Sequence, residues 1–284
     1  MTNVKADLHM HTNRSDGIFP PDELIQKAHR KGITTLSITD HDSLDAFPNA
    51  VKFGAALNVE VIPGVELSAN VDAKEVHILG YFLDFTNEHL LEYLKFFREE
   101  RKKRAIRIVE KLNRLQIPLT FESVLRKSGS GAIGRPHIAM ALVEEGLVND
   151  YQTVFDKYIG FGCPAYEKKF NLPPVEACAL IASAGGLSFL AHPGRSMDDE
   201  LLKMLIKSGL DGIEVVHPSH SENLVTHYRG IVTQYFLLES GGSDFHGGKR
   251  NDDEILGSFC VDGSCVDAMK RRLFNQHSSR SSLQ

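Results

Sequence analysis

Two histidines near the N-terminus, His9 and His11, have a spacing that lets both side chains bind one metal ion. Residues two apart in a β-strand point to the same face, so the two imidazoles can reach a common point. Asp16 follows shortly afterwards and adds a carboxylate. Taken alone, such a pair is better explained by packing and turn capping, and only further ligands along the chain would indicate a metal site.

Histidines and carboxylates recur along the chain where extended apolar runs end. With the first group they form this set of candidate metal ligands: His9, His11, Asp16, His41, Glu66, His77, His192, Asp244 and His246. A catalytic zinc ion typically takes about three protein ligands plus water, so the set is too large for a single ion. It predicts two or three divalent ions that share a bridging carboxylate. Because no cysteine contributes, manganese, iron or zinc fit better than copper or an iron–sulfur cluster.

The segments that carry these residues alternate between strands and helices. The first strand ends at His9, a helix then begins at Pro20-Pro21, and the next strand ends at Asp40-His41. This alternation is typical of a parallel sheet or barrel, and about seven parallel strands are predicted. The sequence therefore predicts a (β/α) barrel one unit short of the common form, with the active site at the carboxyl ends of its strands.

Residues 87–171 interrupt this alternation with a helical pattern. We therefore expect residues 1–86 and 172–284 to form the barrel and the interruption to form an inserted helical subdomain. Its first helix is predicted from about Leu90 to Leu115 and is rich in basic residues.

Basic residues of the insertion are candidates for binding phosphate. Arg101 lies at the centre of the apolar stripe of the predicted helix, and Arg104 lies at its border. A charged residue on an apolar face must be paired or serve a ligand, so Arg101 either pairs with a buried acid or binds substrate. Arg135 precedes Pro136 at a predicted helix start, where free N–H groups favour anions, and His137 can donate to the same oxygen or to a leaving group. An ordinary helix start with a surface arginine is the alternative.

The overall composition is that of an ordinary globular protein. With 284 residues, of which 42% are hydrophobic and 24% charged, the chain suffices for a barrel with an insertion. A net charge of -5 argues against a protein that coats nucleic acid, and no binding to duplex DNA is expected. No apolar run reaches the ~18 residues of a membrane span, and no signal peptide is expected. The cysteines form no CxxC pair, so we expect reduced thiols, a cytoplasmic location and a monomer or weak oligomer.

Segments spread along the chain resemble, in order, the PHP (polymerase and histidinol phosphatase) family: DLHMHT, RSDG, ITDHD, IPGVELSA, HILGY, AHPGR, EVVHPSH and GGSDFHG. They cover the chain except for the insertion and the tail. The resemblance implies an α/β fold, a distorted (β/α)7 TIM-like barrel with an inserted helical subdomain, and a trinuclear metal cluster. The barrel agrees with the strand count above.

The ligand pattern of the family, carried onto this sequence, implies three metal positions. One ion would be held by His9, His11, Glu66 and Asp244. Glu66 would bridge to a second ion, held with His77 and His192. The third ion would be held by Asp16, His41 and His246. The implied cofactors are two to three divalent ions, with Mn2+ preferred and Fe2+ or Zn2+ as alternatives.

Within the family, a basic helical insertion is similar to that of nucleoside 3',5'-bisphosphate phosphatases and of 5'→3' exoribonucleases that act on short RNA. The resemblance implies a metal-dependent phosphoesterase whose substrate is a small phosphorylated nucleotide or a short 5'-phosphorylated RNA. The implied catalytic residues are His9, His11, Glu66, Asp244 and His137. The implied substrate contacts are Arg101, Arg104, Arg135 and His137; His217 and His220 either line the pocket or have a structural role.

Other interpretations of the same residues remain open. A histidinol-phosphate phosphatase would use the same barrel, although so small a substrate needs no second phosphate clamp. An amidohydrolase also carries His-x-His on its first strand, but its usual bridging group is a carboxylated lysine where this chain has Glu66. A non-catalytic nucleotide-binding regulatory module would not require three ions. Asp7 and Asp40 lie beside ligands and either orient an imidazole or cap the following turn.

Overall fold

A single twisted sheet positions the candidate ligands. The computed structural model describes residues 4–71, 74–170, 172–195, 197–247 and 254–281. Its strands are β1 (Lys5–Met10), β2 (Thr35–Ile38), β3 (Glu60–Val71), β4 (Lys74–Tyr81), β5 (Leu187–Leu190), β6 (Gly212–Val216), β7 (Leu238–Gly241) and β8 (Val261–Asp262). They lie in the order β7-β6-β5-β4-β3-β2-β1-β8. A bridge between Met10 and Phe245 brings the end of β1 beside the segment after β7, so the sheet nearly closes into the predicted barrel.

Helices follow most strands and fill the stretch between β4 and β5. They are α1 (Pro21–Arg30), α2 (Phe47–Ala56), α3 (Glu88–Arg114), α4 (Phe121–Ser128), α5 (Arg135–Glu144), α6 (Tyr151–Val154), α7 (Pro174–Ser183), α8 (Asp199–Lys207), α9 (Glu222–Gln234) and α10 (Gly263–Ser281). Phe155–Ile159 continue α6 as a π-helical turn. Helix α1 begins with a proline and acids and ends with basic residues, the signals that predicted it.

The strand directions differ from the prediction at β4. Strands β1, β2 and β3 are parallel to one another, and so are β5, β6 and β7. Strand β4 is antiparallel to both β3 and β5, so the expectation that all seven strands are parallel was wrong. Only residues 72 and 73 separate β3 from β4. A parallel crossover needs roughly a dozen residues or more, and so short a connection permits only a hairpin.

One hydrophobic cluster joins strands of the barrel to α7 and to the start of α3, and a second cluster joins the helices from α3 to α6. Ile78 of β4 and Leu190 of β5 share a buried cluster with Ile181 of α7. Helices α3 to α6 are joined by a different cluster, which includes Ile108 and Leu142. This second core favours an inserted subdomain at residues 87–171, and the division of the chain into 1–86, 87–171 and 172–284 stays a prediction. Its boundary at residue 171 lies outside the described residues.

The C-terminal part of the chain contains two elements that were not predicted, β8 and α10. Strand β8 pairs antiparallel with β1, with Val261 opposite Ala6. Val266 and Met269 of α10 pack in the same buried cluster as Leu8 of β1. The C-terminal segment therefore covers apolar surface beside the strand that carries the first pair of histidines.

Two expectations drawn from composition can be compared with the structure. Cys163, Cys178, Cys260 and Cys265 are free thiols, as predicted. Among the described helices, none combines the length and the apolar character required to cross a membrane.

Candidate active site

The carboxyl ends of the parallel strands bring the predicted metal ligands together. His9 is near the end of β1, while His41, His192 and Asp244 follow β2, β5 and β7. Parallel strands of a barrel end at one face, so residues far apart in sequence meet there. His192 has a φ of 27° and Asp244 a φ of 50°, a left-handed backbone that non-glycine residues rarely adopt. Such conformations persist where the surrounding structure enforces them, as at a functional site.

Glu66 was expected at a strand end and His77 near the middle of a strand, and both reach the same face from inside strands. Strand β3 continues past Glu66 as far as Val71, and β4 then returns beside it. A bridge between His41 and Glu66 places the middle of β3 level with the end of β2. The β3–β4 hairpin therefore extends beyond the mouth of the barrel, with its two candidate ligands at the mouth.

Four donor atoms converge at the first strand: His9 Nε2, His11 Nε2, Glu66 Oε2 and Asp244 Oδ1. The two imidazole nitrogens lie 3.2 Å apart. Asp244 Oδ1 lies 3.4 Å from His9 Nε2 and 3.2 Å from His11 Nε2. Glu66 Oε2 lies 3.5 and 3.3 Å from the same nitrogens. Ligands of one tetrahedral ion at bond lengths of ~2.1 Å are separated by about 3.4 Å, so His9, His11 and Asp244 are spaced to share one ion, and Glu66 Oε2 lies close to both imidazoles.

Glu66 also contacts three further histidines. Its Oε1 lies 2.6 Å from His77 Nδ1 and 3.2 Å from His192 Nε2. Its Oε2 lies 3.0 Å from His41 Nδ1. A carboxylate that has imidazoles around both oxygens has the surroundings that a bridge between two ions requires, so bridging by Glu66 stays a prediction that this geometry favours.

Asp16 forms the centre of a further group. Its Oδ1 lies 3.2 Å from His246 Nε2, 3.8 Å from His11 Nδ1 and 3.9 Å from His41 Nε2. His11 and His41 therefore each belong to two groups, which the sequence did not predict. All nine predicted ligands fall in four overlapping groups whose donor atoms lie within 4.8 Å of one another.

The chemistry of this donor set suits divalent cations. Within the described residues, Glu66 Oε2, His41 Nδ1 and His77 Nδ1 are buried and accept or donate no hydrogen bond. Such atoms are costly to bury unless something else binds them. Burial alone would raise the pKa of the Glu66 carboxyl, but His41, His77 and His9 hold that pKa well below its ordinary range. An ionised carboxylate among imidazoles is a ligand set for Mn, Fe or Zn.

Glu214 orients the first histidine, a role that was not predicted from the sequence. Its Oε1 lies 2.9 Å from His9 Nδ1, and its Oε2 accepts the backbone N–H of His192 at 2.7 Å. A carboxylate at Nδ1 fixes the tautomer that leaves Nε2 available to an ion. The available signal was an acid inside the apolar run of β6, because a buried charge requires a partner.

Asp7 and Asp40 cap turns, which is one of the two roles considered for them. Asp7 Oδ1 accepts the backbone N–H of Ser243 at 3.0 Å. Asp40 accepts the N–H and hydroxyl of Thr12 at 2.7 and 2.6 Å and the hydroxyl of Ser15 at 2.6 Å. Both aspartates thus hold the loops that carry ligands, and neither makes a described hydrogen bond to an imidazole.

A cavity of about 310 Å³ opens beside the candidate ligands. Its wall includes seven of them: Asp16, His41, Glu66, His77, His192, Asp244 and His246. The wall also contains the predicted Arg101, Arg104 and Arg135, and a lysine that was not predicted, Lys169. Four cationic side chains and a candidate metal centre therefore face one space.

Two of the arginines that line this cavity, Arg101 and Arg104, are residues of helix α3. Arg101 donates to Asp42 Oδ2 at 2.7 Å and to Ser68 Oγ at 2.9 Å. It therefore pairs with a buried acid, one of the alternatives considered, and also lines the cavity. Arg104 donates to the carbonyl of Glu167 at 2.9 Å. Burial and the neighbouring Arg135 and Arg101 lower the pKa of Arg104 to about 10.

Glu75 connects the cations to the candidate metal centre. Its Oε1 lies 2.8 Å from His77 Nε2 and accepts from Lys169. Its Oε2 accepts from Arg135 at 3.3 Å. Burial lowers the pKa of Lys169 to about 8, although Glu75 acts in the opposite direction. A buried ammonium group of this kind gains from an anionic ligand.

Comparison with known proteins shows which family the chain belongs to. Residues 7–161 match the sequence model of the PHP domain. The chain belongs to the PHP domain family. It is 37% identical over 252 residues to the 5'-3' exoribonuclease Rnm of Escherichia coli, covering 86% of this chain and 85% of that protein. It is 34% identical over 252 residues to a 3',5'-nucleoside bisphosphate phosphatase of Chromobacterium violaceum, covering 87% of this chain and 88% of the relative.

A solved structure shares the fold of this PHP-family chain. It is described as a metal-dependent phosphoesterase from Bifidobacterium adolescentis, with a TM-score of 0.86 and 31% identity. The match covers 94% of this chain and 96% of that one. The predictions of a distorted TIM-like barrel and of a metal-dependent phosphoesterase are thereby confirmed. The chain is an enzyme of the hydrolase class, which leaves the non-catalytic module without support.

Three histidines predicted for this PHP-family site do not line the cavity. His137 is buried, and its Nδ1 accepts the backbone N–H of Gly134 at 2.9 Å, so the ring folds back on the start of α5. His220 Nδ1 donates to the Val215 carbonyl at 2.8 Å, and its Nε2 accepts the Gly194 N–H at 3.1 Å. Backbone groups thus occupy both ring nitrogens of His220, which favours the structural role considered for it.

His217 lies behind a candidate ligand. Its Nδ1 is 2.8 Å from Ser219 Oγ, and its Nε2 is 3.5 Å from Asp244 Oδ2. The ring is buried, and it contacts Asp244 rather than the cavity. A role in positioning Asp244 fits these contacts better than the predicted contact with substrate.

Proposed function

We propose that this enzyme removes the 3'-phosphate from nucleoside 3',5'-bisphosphates and releases 5'-mononucleotides from short 5'-phosphorylated RNA at the same site. The names of the relatives support both reactions. The observation that carries the proposal is the shared cavity, in which Arg101, Arg104, Arg135 and Lys169 face the candidate metal ligands. A substrate with two phosphates can place one at the cations and the other at the metal centre.

The cationic group is suited to a terminal phosphate that does not react. Arginine presents a planar fork that binds two phosphate oxygens at once, and lysine adds a point charge. Glu75 holds Arg135 and Lys169 at the cavity, so little ordering is required when the phosphate arrives. Tyr151 and Phe155 belong to the same wall and offer rings on which a base can stack.

The proposed metal centre contains two to three divalent ions, Mn2+ by preference, held by the nine candidate ligands. Such ions, when bound, lower the pKa of a coordinated water towards ~7 and neutralise charge on phosphoryl oxygens. The residues of this chain arrange the centre: Glu214 fixes the tautomer of His9, and Glu66 lies between the histidine groups. His9, His11, Glu66 and Asp244 are therefore proposed to act in catalysis as ligands.

Both reactions break the same bond. Water adds its oxygen to phosphorus, and the bond between phosphorus and the 3'-oxygen breaks. The 3'-oxygen leaves with the bonding electrons and takes a proton. A bisphosphate then gives phosphate and a 5'-mononucleotide; an RNA gives a 5'-mononucleotide and a shorter RNA with a new 5'-phosphate.

A comparison of three substrates tests the proposal. Purified protein with Mn2+ is given adenosine 3',5'-bisphosphate, a short 5'-phosphorylated RNA and histidinol phosphate in separate assays. We expect phosphate from the first and mononucleotides from the second. Activity on histidinol phosphate alone would contradict the proposal and favour the rival phosphatase.

Substitution of Arg135 tests the cationic cavity within the same assay. Arg135→Ala is expected to lower kcat/KM on the bisphosphate about tenfold or more, because a charged hydrogen bond to phosphate is lost. Metal content should stay at the wild-type value. Loss of metal instead would show that Arg135 supports the metal centre and not the substrate.

A further inference from the structure

A second cavity, of about 510 Å³, adjoins the candidate metal centre. It is lined by Glu75, Val76, His77, Ala191, His192, Pro193, Met197, Asp198 and Leu201. Glu75, His77 and His192 also belong to the wall of the first cavity, so the two cavities meet at these residues. The volume is within the usual range of small-molecule sites. No part of the substrates proposed above has been assigned to this cavity.

The two cavities differ in chemistry. The first contains four cationic side chains, whereas the second has no lysine or arginine among the described residues that line it. Its wall is largely apolar, with Val76, Ala191 and Pro193 buried and Met197 and Leu201 partly exposed. Asp198, the carboxylate that this wall does not share with the first cavity, disfavours a phosphate. An uncharged, flat group is therefore a better occupant than a second anion.

We propose that the second cavity binds the nucleoside on the 3' side of the phosphodiester that is cut in an RNA substrate. This inference rests on the proposed function, and it names the part of the substrate that a bisphosphate lacks. The scissile phosphate lies at the centre shared by both cavities, beside His77 and His192. The base of the next nucleotide packs against Met197 and Leu201, whose flexible side chains adapt to purines and pyrimidines alike.

This arrangement also gives the direction of digestion. The 5'-phosphate lies among the cations of the first cavity, and the chain then passes the metal centre into the second cavity. Water adds to phosphorus, the bond from phosphorus to the 3'-oxygen breaks, and that oxygen takes a proton. The first nucleotide leaves as a 5'-mononucleotide, and the remaining RNA keeps the phosphate at its new 5' end. The reverse polarity would place a phosphate-free 3' end among four cations.

Three substrates separate this proposal from the function on which it rests. Adenosine 3',5'-bisphosphate occupies the first cavity and the metal centre only, whereas 5'-phosphorylated diadenylate also occupies the second cavity. Wild-type protein with Mn2+ is assayed on both, and on a 5'-phosphorylated dinucleotide whose second residue has no base. We expect kcat/KM for the abasic dinucleotide to be about tenfold below that for diadenylate, because the apolar contact of one base is lost.

Matched variants test the wall of the cavity. Met197→Ala should lower the ratio of kcat/KM for diadenylate to kcat/KM for the bisphosphate by about tenfold. Met204→Ala is the control, because Met204 lies on α8 with 39% of its surface exposed and outside both cavities. It should leave that ratio unchanged.

The outcomes are distinguishable. No hydrolysis of the bisphosphate or of diadenylate would overturn the proposed function itself. Hydrolysis of both, with equal kcat/KM for the abasic and normal dinucleotides and an unchanged ratio in Met197→Ala, would overturn the second cavity as a nucleoside site. A lower ratio in Met197→Ala together with weaker cleavage of the abasic substrate supports it.

Discussion

Glu75 Oε1 lies 2.8 Å from Nε2 of His77, while Nδ1 of the same ring lies 2.6 Å from Glu66. A carboxylate at Nε2 fixes the tautomer of His77 and leaves Nδ1 for an ion. The same carboxylate of Glu75 also holds Arg135 and Lys169 in the phosphate cavity. Glu75 therefore links the orientation of a proposed metal ligand to the position of the cations.

Glu75→Ala is expected to weaken metal binding, because the ring of His77 loses the group that orients it. A change of about 10- to 100-fold in affinity is typical for such partners. Glu75→Gln should retain most of the affinity, since its amide oxygen can still accept from His77. Titration of metal-free protein with Mn2+ measures the metal affinity of both variants. Glu92→Ala, at an exposed position of α3, is the control and should keep the wild-type affinity. Equal losses in the alanine and glutamine variants would show that charge, and not orientation, matters.

Gly242→Ala is expected to disrupt the metal centre. A Cβ at Gly242 would come within 2.4 Å of both the backbone nitrogen and the Cβ of His9, so the strand that carries His9 must move. A displacement of this kind can cost about a hundredfold in kcat/KM. Gly230→Ala is the matched control on α9, where a Cβ meets nothing within 4 Å. It should leave activity intact and stabilise the fold by about 0.5–1 kcal/mol.

Arg101 and Arg135 are expected to differ in their effect on stability. The Arg101–Asp42 pair is nearly buried, with side-chain exposures of 10% and 1%. Arg101→Ala leaves a buried carboxylate without its partner and should cost about 3–5 kcal/mol in the free energy of unfolding. The Arg135–Glu75 pair is more exposed, at 22% and 32%, so Arg135→Ala should cost at most about 1 kcal/mol. Urea unfolding of both variants measures the difference, and equal losses would contradict it.

Lys169 should produce a decline in activity at alkaline pH. Burial lowers the pKa of its ammonium group to about 8, so the charge is present below that pH and lost above it. We therefore expect kcat/KM for adenosine 3',5'-bisphosphate to fall above pH 8. Lys169→Arg should move this decline upward, since a guanidinium stays charged. Adenosine 3'-monophosphate, which has no 5'-phosphate, should not show the decline; an identical decline for both substrates would assign it to another group.

The barrel could be predicted because each strand carries a local signal. His9, His41 and His192 follow or end short apolar runs separated by helices, so their meeting at one face follows from the topology of parallel strands. The direction of β4 was missed because β3 was expected to end at Glu66, whereas in the structure it continues to Val71. With only two residues between β3 and β4, a parallel crossover is impossible.

The residues that support the site could not be placed in the same way. Glu214 contacts His9 across 205 positions of sequence, and Lys169 contacts Glu75 across 94. The local sequence around each residue does not indicate its partner, because contacts between residues so far apart in sequence depend on how the whole chain packs. For His137, the start of its helix was predicted, but the direction of its ring was not. That direction depends on a hydrogen bond from the backbone N–H of Gly134, only three residues away.

The most direct test of the central proposal is a metal titration followed by phosphate release. Protein freed of metal with a chelator is titrated with Mn2+ while phosphate release from adenosine 3',5'-bisphosphate is measured. The arrangement of His9, His11, Glu66 and Asp244 with the neighbouring ligands predicts no release without metal and a plateau at two to three ions per chain. Undiminished release from the metal-free protein, or none at any Mn2+ concentration, would contradict it.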